Sequence, residues 1–330
     1  MNYRKFGNTD LQVSEIGFGA WAIGGEAIVG GMPIGWGPAD DAVSVSAIHA
    51  ALDAGINFFD TADFYGLGHS ESLLGQALQE NKEVIIATKV GHRDIDDKIV
   101  LDYSGQYITQ ACEDSLRRLK REAIDYYQLH SARLAHLQNG KCIEAMETLK
   151  RQGKIRYWGL SLNTFAPEPE AAWMMENKAG DGFQLVFNII NQRAYKTMQR
   201  AGENGYGIIA RMPLQFGLLT GKFTAATTFS GGDHRNFRLT PEIMRRSLQI
   251  LEEKIWPVGE REGLNAVALA MSFILSAKEV STVIPGIRTP LHVEQNTSGI
   301  KILQQENFEY LLSLSDADWI SVMELMEKQG

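Results

Sequence analysis

The sequence predicts an α/β fold, a (β/α)8 TIM barrel with an N-terminal β-hairpin and extra C-terminal helices, as one domain over residues 1–330. Three observations predict it. Strand-like and helix-like patterns alternate eight times, which calls for parallel strands joined by crossover helices. Three early strand patterns stop at a polar residue: Phe58-Phe59 at Asp60, Val84–Thr88 at Lys89, and Tyr126–Leu129 at His130. In a barrel, the strand C-termini share one mouth, so such residues converge there. Finally, 330 residues suit one barrel with insertions.

In chain order, the first fourteen residues read as a hairpin turning at Gly7-Asn8-Thr9-Asp10. Strands are expected near 15–18, 57–59, 84–88, 125–129, 155–160, 183–187, 207–210 and 281–284, where apolar runs are short and rich in β-formers. Helices are expected near 41–54, 70–80, 105–119, 141–152, 167–178, 192–203, 263–276 and 290–301. Two more, near 306–313 and 316–328, form a C-terminal cap. Gly24–Ala39, which contains Trp36, and Thr224–Leu239, which contains Gly231-Gly232-Asp233-His234-Arg235, are long enough to be lids or binding loops. Gly17-Phe18-Gly19-Ala20-Trp21-Ala22 imitates a dinucleotide fingerprint. That motif must open directly into a helix, whereas glycines and prolines follow here until Asp41, so an open doubly wound sheet is disfavoured.

Composition narrows the function. A hydrophobic content of 44% is that of a globular protein. A net charge of -8 and a pI near 5.5 argue against a nucleic-acid partner. Cys112 and Cys142 have no metal-ligand spacing and suit a reducing compartment. The N-terminus is polar, and the longest apolar helix, Ala266–Leu275, is too short to span a bilayer, so no membrane role and a cytoplasmic location are expected. No His-Glu-x-x-His, Gly-x-Ser-x-Gly or Walker loop occurs, so no metal is expected. Oligomeric state is not legible.

Asp60, Tyr65, Lys89 and His130 form the candidate catalytic set. A phenol keeps its proton at neutral pH and can give it to a carbonyl oxygen. An ammonium nearby stabilises the phenolate left behind, and a carboxylate keeps that ammonium charged. A histidine can donate to the same oxygen or relay its proton. Trp21 and Trp36 are candidates to line an apolar substrate pocket with Tyr65 and His130.

At these residues the chain resembles the aldo-keto reductases, specifically bacterial members related to the potassium-channel β subunits. The similarity runs from Tyr3–Ser14 to Ile284-Pro285-Gly286-Ile287-Arg288. It implies that the hairpin plugs the barrel floor and that Asp60, Tyr65, Lys89 and His130 are the catalytic tetrad. It implies NADPH as cofactor, with NADH as the alternative, and a small-molecule carbonyl substrate. Ser161 or Asn163, separated by Leu162, together with Gln184, is implied to hold the nicotinamide carboxamide. Leu214, Gly217 and Lys222 fall in the family's pyrophosphate loop. Gly286, Arg288 and Asn296 fall at its adenosine end, with Arg288 aimed at a 2′-phosphate and His292 where relatives often have glutamine. Trp21 and Asp60 also adjoin the cofactor. Arg211 stands where relatives often stack an aromatic ring on the nicotinamide. The implied activity is reduction of aldehydes or ketones. A sugar-lactol dehydrogenase working oxidatively, and a cofactor-sensing binding subunit, are the alternatives.

Overall fold

The computed structural model describes residues 1–229, 233 and 235–329. Its centre is an eight-stranded parallel sheet in chain order: β1 (Phe18–Gly19), β2 (Phe58–Asp60), β3 (Ile85–Val90), β4 (Ile124–His130), β5 (Ile155–Ser161), β6 (Gly182–Val186), β7 (Gly207–Arg211) and β8 (Thr282–Ile284). Bridges from Ile16 to Val283 and from Gly19 to Gly286 bring the last strand against the first and close the barrel. Gly17-x-Gly19 belongs to this seam. A Cβ on Gly19 would lie 2.7 Å from the Pro285 carbonyl oxygen, so the glycine is needed for the close approach of β1 to β8.

Alternate residues of each strand point inward. The inward residues of the lower half, Phe58, Ile85, Ala87, Tyr126, Ile209 and Ile284, form a cluster with Phe6, Leu11 and Val13 of the hairpin. That hairpin pairs Tyr3–Lys5 with Gln12–Ser14 and plugs the floor. Phe6 is fully buried, worth about 1.5–3 kcal/mol. Room for it comes from missing side chains: a Cβ on Gly182 or Gly207 would meet the Phe6 ring at 2.7 or 2.5 Å. A second, larger cluster fills the layer between the strands and the surrounding helices.

The barrel expectation holds, with local corrections. The first strand is shorter and later than 15–18. The segment 241–262, assigned no element from the sequence, is helical: Pro241–Ile250, a π turn Leu251–Ile255 and Trp256–Glu262. Thr240 caps it and Pro241 occupies its first turn, a start signal that the long preceding loop obscured. The helix expected near 192–203 starts only at Tyr195, and the last one is Ile320–Lys328 behind a short 3-10 turn. The glycine-rich loop after β1 contains a 3-10 turn, Ala20–Ile23, and a small hairpin, Ile28–Val29 with Met32–Pro33. A second hairpin, His92–Asp94 with Ile99–Leu101, follows β3. In the other long loop, Gly231, Gly232 and His234 lie outside the described residues. No helix among the described residues is long and apolar enough to cross a membrane, and no group of three or more metal-ligating side chains occurs among them.

Candidate active site

The upper inward positions of β2, β3, β4 and β6 are polar, and they meet. Lys89 on β3 is completely buried. Its ammonium has three hydrogens and three partners: Asp60 Oδ1 at 2.5 Å, the Thr61 carbonyl at 2.8 Å and the Tyr65 hydroxyl at 3.2 Å. Burial alone would lower the lysine's pKa, but Asp60 and then Tyr65 outweigh it, and the net direction is upward. The other oxygen of Asp60 accepts from Gln128 at 3.1 Å and Gln184 at 2.7 Å. The carboxylate is therefore held in one orientation.

Tyr65 sits on the loop after β2, half-buried. Its ring packs over Trp21 with centroids 6.0 Å apart and meets His130 edge-on at 6.0 Å. Trp21 meets Trp36 at 5.3 Å, and Trp36 lies 6.5 Å from Phe216. Both tryptophans are thus on the wall beside Tyr65. His130 ends β4. Burial, reinforced by His92, Lys89 and Arg211, holds its pKa well below the usual histidine value, so the ring is neutral at pH 7. Its Nδ1 is buried and finds no partner among the described residues. Nothing stabilises a proton on Nδ1, which favours the tautomer that presents N–H at Nε2.

The remaining sequence candidates line the same rim, with some surprises. Ser161 is buried at the end of β5. Asn163 instead uses its side-chain oxygen to accept the backbone N–H groups of Phe165 and Ala166, at 2.9 and 2.8 Å. Gln184 has its amide nitrogen on Asp60 and Gln128. The Arg211 guanidinium is tied to the Leu162 carbonyl at 3.2 Å and Thr164 Oγ1 at 3.1 Å. These bonds hold it in place, it pairs with no carboxylate among the described residues, and burial lowers its pKa from the ordinary arginine value. Arg288 donates to the Pro38 carbonyl, joining the loops after β8 and β1. Asn296 is buried on the helix Pro290–Thr297 and Lys222 is exposed.

These residues fit a nucleotide cofactor in two respects. After β7 the backbone takes left-handed conformations at Met212, Gln215, Phe216 and Gly217, with φ of 56°, 43°, 56° and 100°. Such reversals, costly outside glycine, are the kind that shape a main-chain cradle for anions, and Leu214 lies within it. Lys222 and Arg288 also crowd His292, whose pKa is lowered by burial first and then by both cations. The two cations, Lys222 and Arg288, gathered at this end of the groove suit a phosphate. Across the seam, a Cβ on Gly286 would meet nothing within 4 Å, leaving open space there.

Sequence reasoning missed two residues. Gln128 shares Asp60 with Gln184, and its signal was its position two residues before His130 on the same face of β4. His92, two residues beyond the end of β3, packs edge-to-face on His130 at 4.3 Å.

Comparison with known proteins adds an independent line. The model of the aldo/keto reductase family matches residues 15–316. YqkF of Bacillus subtilis, an uncharacterized oxidoreductase, is 28% identical over 323 residues, 96% of this chain and 98% of that protein. The NADH-specific methylglyoxal reductase of Escherichia coli is 28% identical over 97% of both chains. Among solved structures, the glycerol dehydrogenase AKR11B4 from Gluconobacter oxydans is similar with a TM-score of 0.79 and 28% identity, over 99% of this chain and 96% of that one.

Proposed function

The chain belongs to the aldo/keto reductase family, and we propose that it reduces an aldehyde or ketone to the alcohol, with Tyr65 as proton donor and NADPH as the preferred cofactor. The family implies a nicotinamide cofactor, which when bound supplies the hydride. The observation that carries the reading is the saturated Lys89 ammonium, shared between Asp60, Thr61 and the Tyr65 hydroxyl, with His130 edge-on to the same ring.

In this reading the substrate oxygen lies between the Tyr65 hydroxyl and His130 Nε2. The Tyr65 O–H bond breaks as its proton moves to that oxygen. Lys89 stabilises the phenolate without moving, because all three of its hydrogens are already committed. Asp60, clamped by Gln128 and Gln184, keeps Lys89 charged. Neutral His130 donates a hydrogen bond and adds no charge of its own. Trp21 and Trp36 exclude water from the tyrosine side. Ser161 and Gln184 would hold the nicotinamide amide, and the 212–217 cradle with Lys222, Gly286, Arg288 and Asn296 would hold the phosphates and adenosine. Oxidation of a polyol by the reverse step is the second reading, favoured by the likeness to a glycerol dehydrogenase structure.

The test is turnover of small aldehydes followed by cofactor absorbance. Tyr65→Phe is expected to lose at least about 100-fold in kcat while binding cofactor normally. Near-normal turnover of the variant would remove Tyr65 from the mechanism. Arg288→Ala tests the cofactor preference. It is expected to weaken NADPH by about 1.5–3 kcal/mol and NADH much less, whereas equal weakening of both would assign Arg288 to loop structure alone.

A further inference from the structure

The strained turns after β7 are held from outside by the loop after β6. Asn188, two residues beyond that strand, is completely buried. Its side-chain oxygen accepts the backbone N–H groups of Ile190 and Asn191, at 2.9 and 2.8 Å. Its own backbone N–H donates to the Asn191 carbonyl at 3.0 Å, which closes the turn. With the oxygen taken, the amide nitrogen serves the neighbouring loop. It donates to the Met212 carbonyl and to Gln215 Oε1, both at 2.8 Å.

These contacts fix both amide orientations. A flipped Asn188 would set its nitrogen against two N–H donors and its oxygen against a carbonyl. Gln215 follows in turn. Because Asn188 offers N–H, Gln215 presents its oxygen, and its nitrogen donates to Met326 Sδ at 3.3 Å on the helix Ile320–Lys328.

The loop needs this support. Met212, Gln215 and Phe216 lack the freedom of glycine, yet their φ values are 56°, 43° and 56°. Such residues are costly and persist only where their surroundings impose them. Two bonds within the loop close its turns, from Gln215 N–H to the Met212 carbonyl at 3.1 Å and from Gly217 N–H to the Leu214 carbonyl at 2.9 Å. The Met212 carbonyl thus receives two donors, one from its own loop and one from Asn188. Between the turns, the Leu214 N–H makes no hydrogen bond to the described residues, which leaves a main-chain donor for an anion.

We propose that Asn188 is a positioning residue for the cofactor diphosphate: by bracing Met212 and Gln215 it keeps the 212–217 cradle formed before anything binds. Apparent affinity scales with the fraction of molecules already in the binding-competent form, so loss of the brace weakens the diphosphate and spares the tetrad. The inference rests on the reading of 212–217 as a phosphate cradle.

The experiment measures by calorimetry the binding of two fragments. One is 2′-phospho-ADP-ribose, which carries the diphosphate and no nicotinamide. The other is 2′-AMP, which lacks the diphosphate. Asn188→Leu, similar in shape and unable to hydrogen-bond, is expected to weaken the first at least about tenfold, the scale of one hydrogen bond, and the second less than about twofold. The KM for NADPH should rise in step, with kcat held within about threefold. Asn188→Asp supplies the rescue. Its second oxygen faces the Met212 carbonyl, so only the protonated acid restores the brace, and burial favours that form. Its affinity for 2′-phospho-ADP-ribose relative to wild type should recover as pH falls from 8 to 6, whereas that of Asn188→Leu should not. Wild-type affinity in Asn188→Leu, or equal weakening of both fragments, overturns the proposal.

A further measurement uses wild type alone and does not depend on the folding of any variant. In amide hydrogen exchange without ligand, Gln215 and Gly217 should already be protected, and 2′-phospho-ADP-ribose should then slow Leu214. Fast exchange at Gln215 and Gly217 that ends only on binding would mean that the ligand forms the cradle, and it overturns the proposal. If wild type binds the two fragments equally, the cradle reading itself fails and the proposal with it. If wild type favours the diphosphate and Asn188→Leu does so equally, only the assignment of Asn188 fails.

Discussion

The floor and the mouth of the barrel are built from the same strands with opposite chemistry. At the floor, Phe6, Phe58, Ile85, Tyr126 and Ile209 interlock around glycines that give up their side chains. Two or four residues further along the same faces, the mouth carries Asp60, Lys89, Gln128, Gln184 and His130. The strand period of two delivers both sets inward, so direction along the strand separates them. Stability depends on shape at the floor, because apolar packing is non-directional and punishes cavities. At the mouth it depends on complete pairing, because a buried charge without its partners is costly.

Removing one partner at the mouth should break this contrast most severely. Lys89→Met leaves Asp60 buried with only two amides, and both functions of the site suffer. Turnover is expected to fall by at least about 100-fold and unfolding free energy by about 3–5 kcal/mol. Urea titration and aldehyde turnover on the same preparation check it. Full stability with lost turnover would mean that water replaces the ammonium.

At the floor the two effects should separate. Phe6→Ala is expected to cost about 3–5 kcal/mol through the cavity it leaves. Turnover measured well below the melting temperature should stay within about threefold, because the Phe6 ring packs on Phe58 and Tyr126 rather than on the tetrad. A large fall in kcat in a still-folded variant would show that the hairpin positions the mouth.

The smallest expected effect sharpens the comparison through pH. His130 and His92 have folded-state pKa values below the unfolded value, His92 near 4. Between about pH 6.5 and 4 the unfolded chain therefore binds more protons, and stability falls as pH falls through that window. His92→Phe should shrink the loss between pH 7 and pH 5 by about 1–2 kcal/mol, read from urea midpoints. Phe6→Ala should leave the pH dependence unchanged. A His92→Phe slope equal to wild type would mean that His92 titrates normally in the folded protein.

The parts legible in the sequence were those written in local pattern. Apolar runs ending at Asp60, Lys89 and His130 mark strand ends, and the Gly7–Asp10 turn marks a hairpin, because backbone sterics and period two act over a few residues. Helix Pro241–Ile250 carried its Thr-Pro start signal but stood behind a long polar loop, which lowered its contrast.

By itself, then, the sequence determined the alternation of strands and helices, the barrel, and the residues that end the strands at the mouth. Only the tertiary structure decided the partners. Gln184 meets Asp60 across 124 residues of chain, and Gln128 meets it across 68. Arg211 is anchored to Leu162 and Thr164 rather than left open, and Asn163 is consumed by its own turn. His92 is set against His130 by two tyrosines from a third element. The physical reason is range. Propensity and periodicity are properties of neighbouring residues, whereas a buried polar group takes whichever partner the closed barrel brings within about 3 Å, since leaving it unpaired costs more than any local preference.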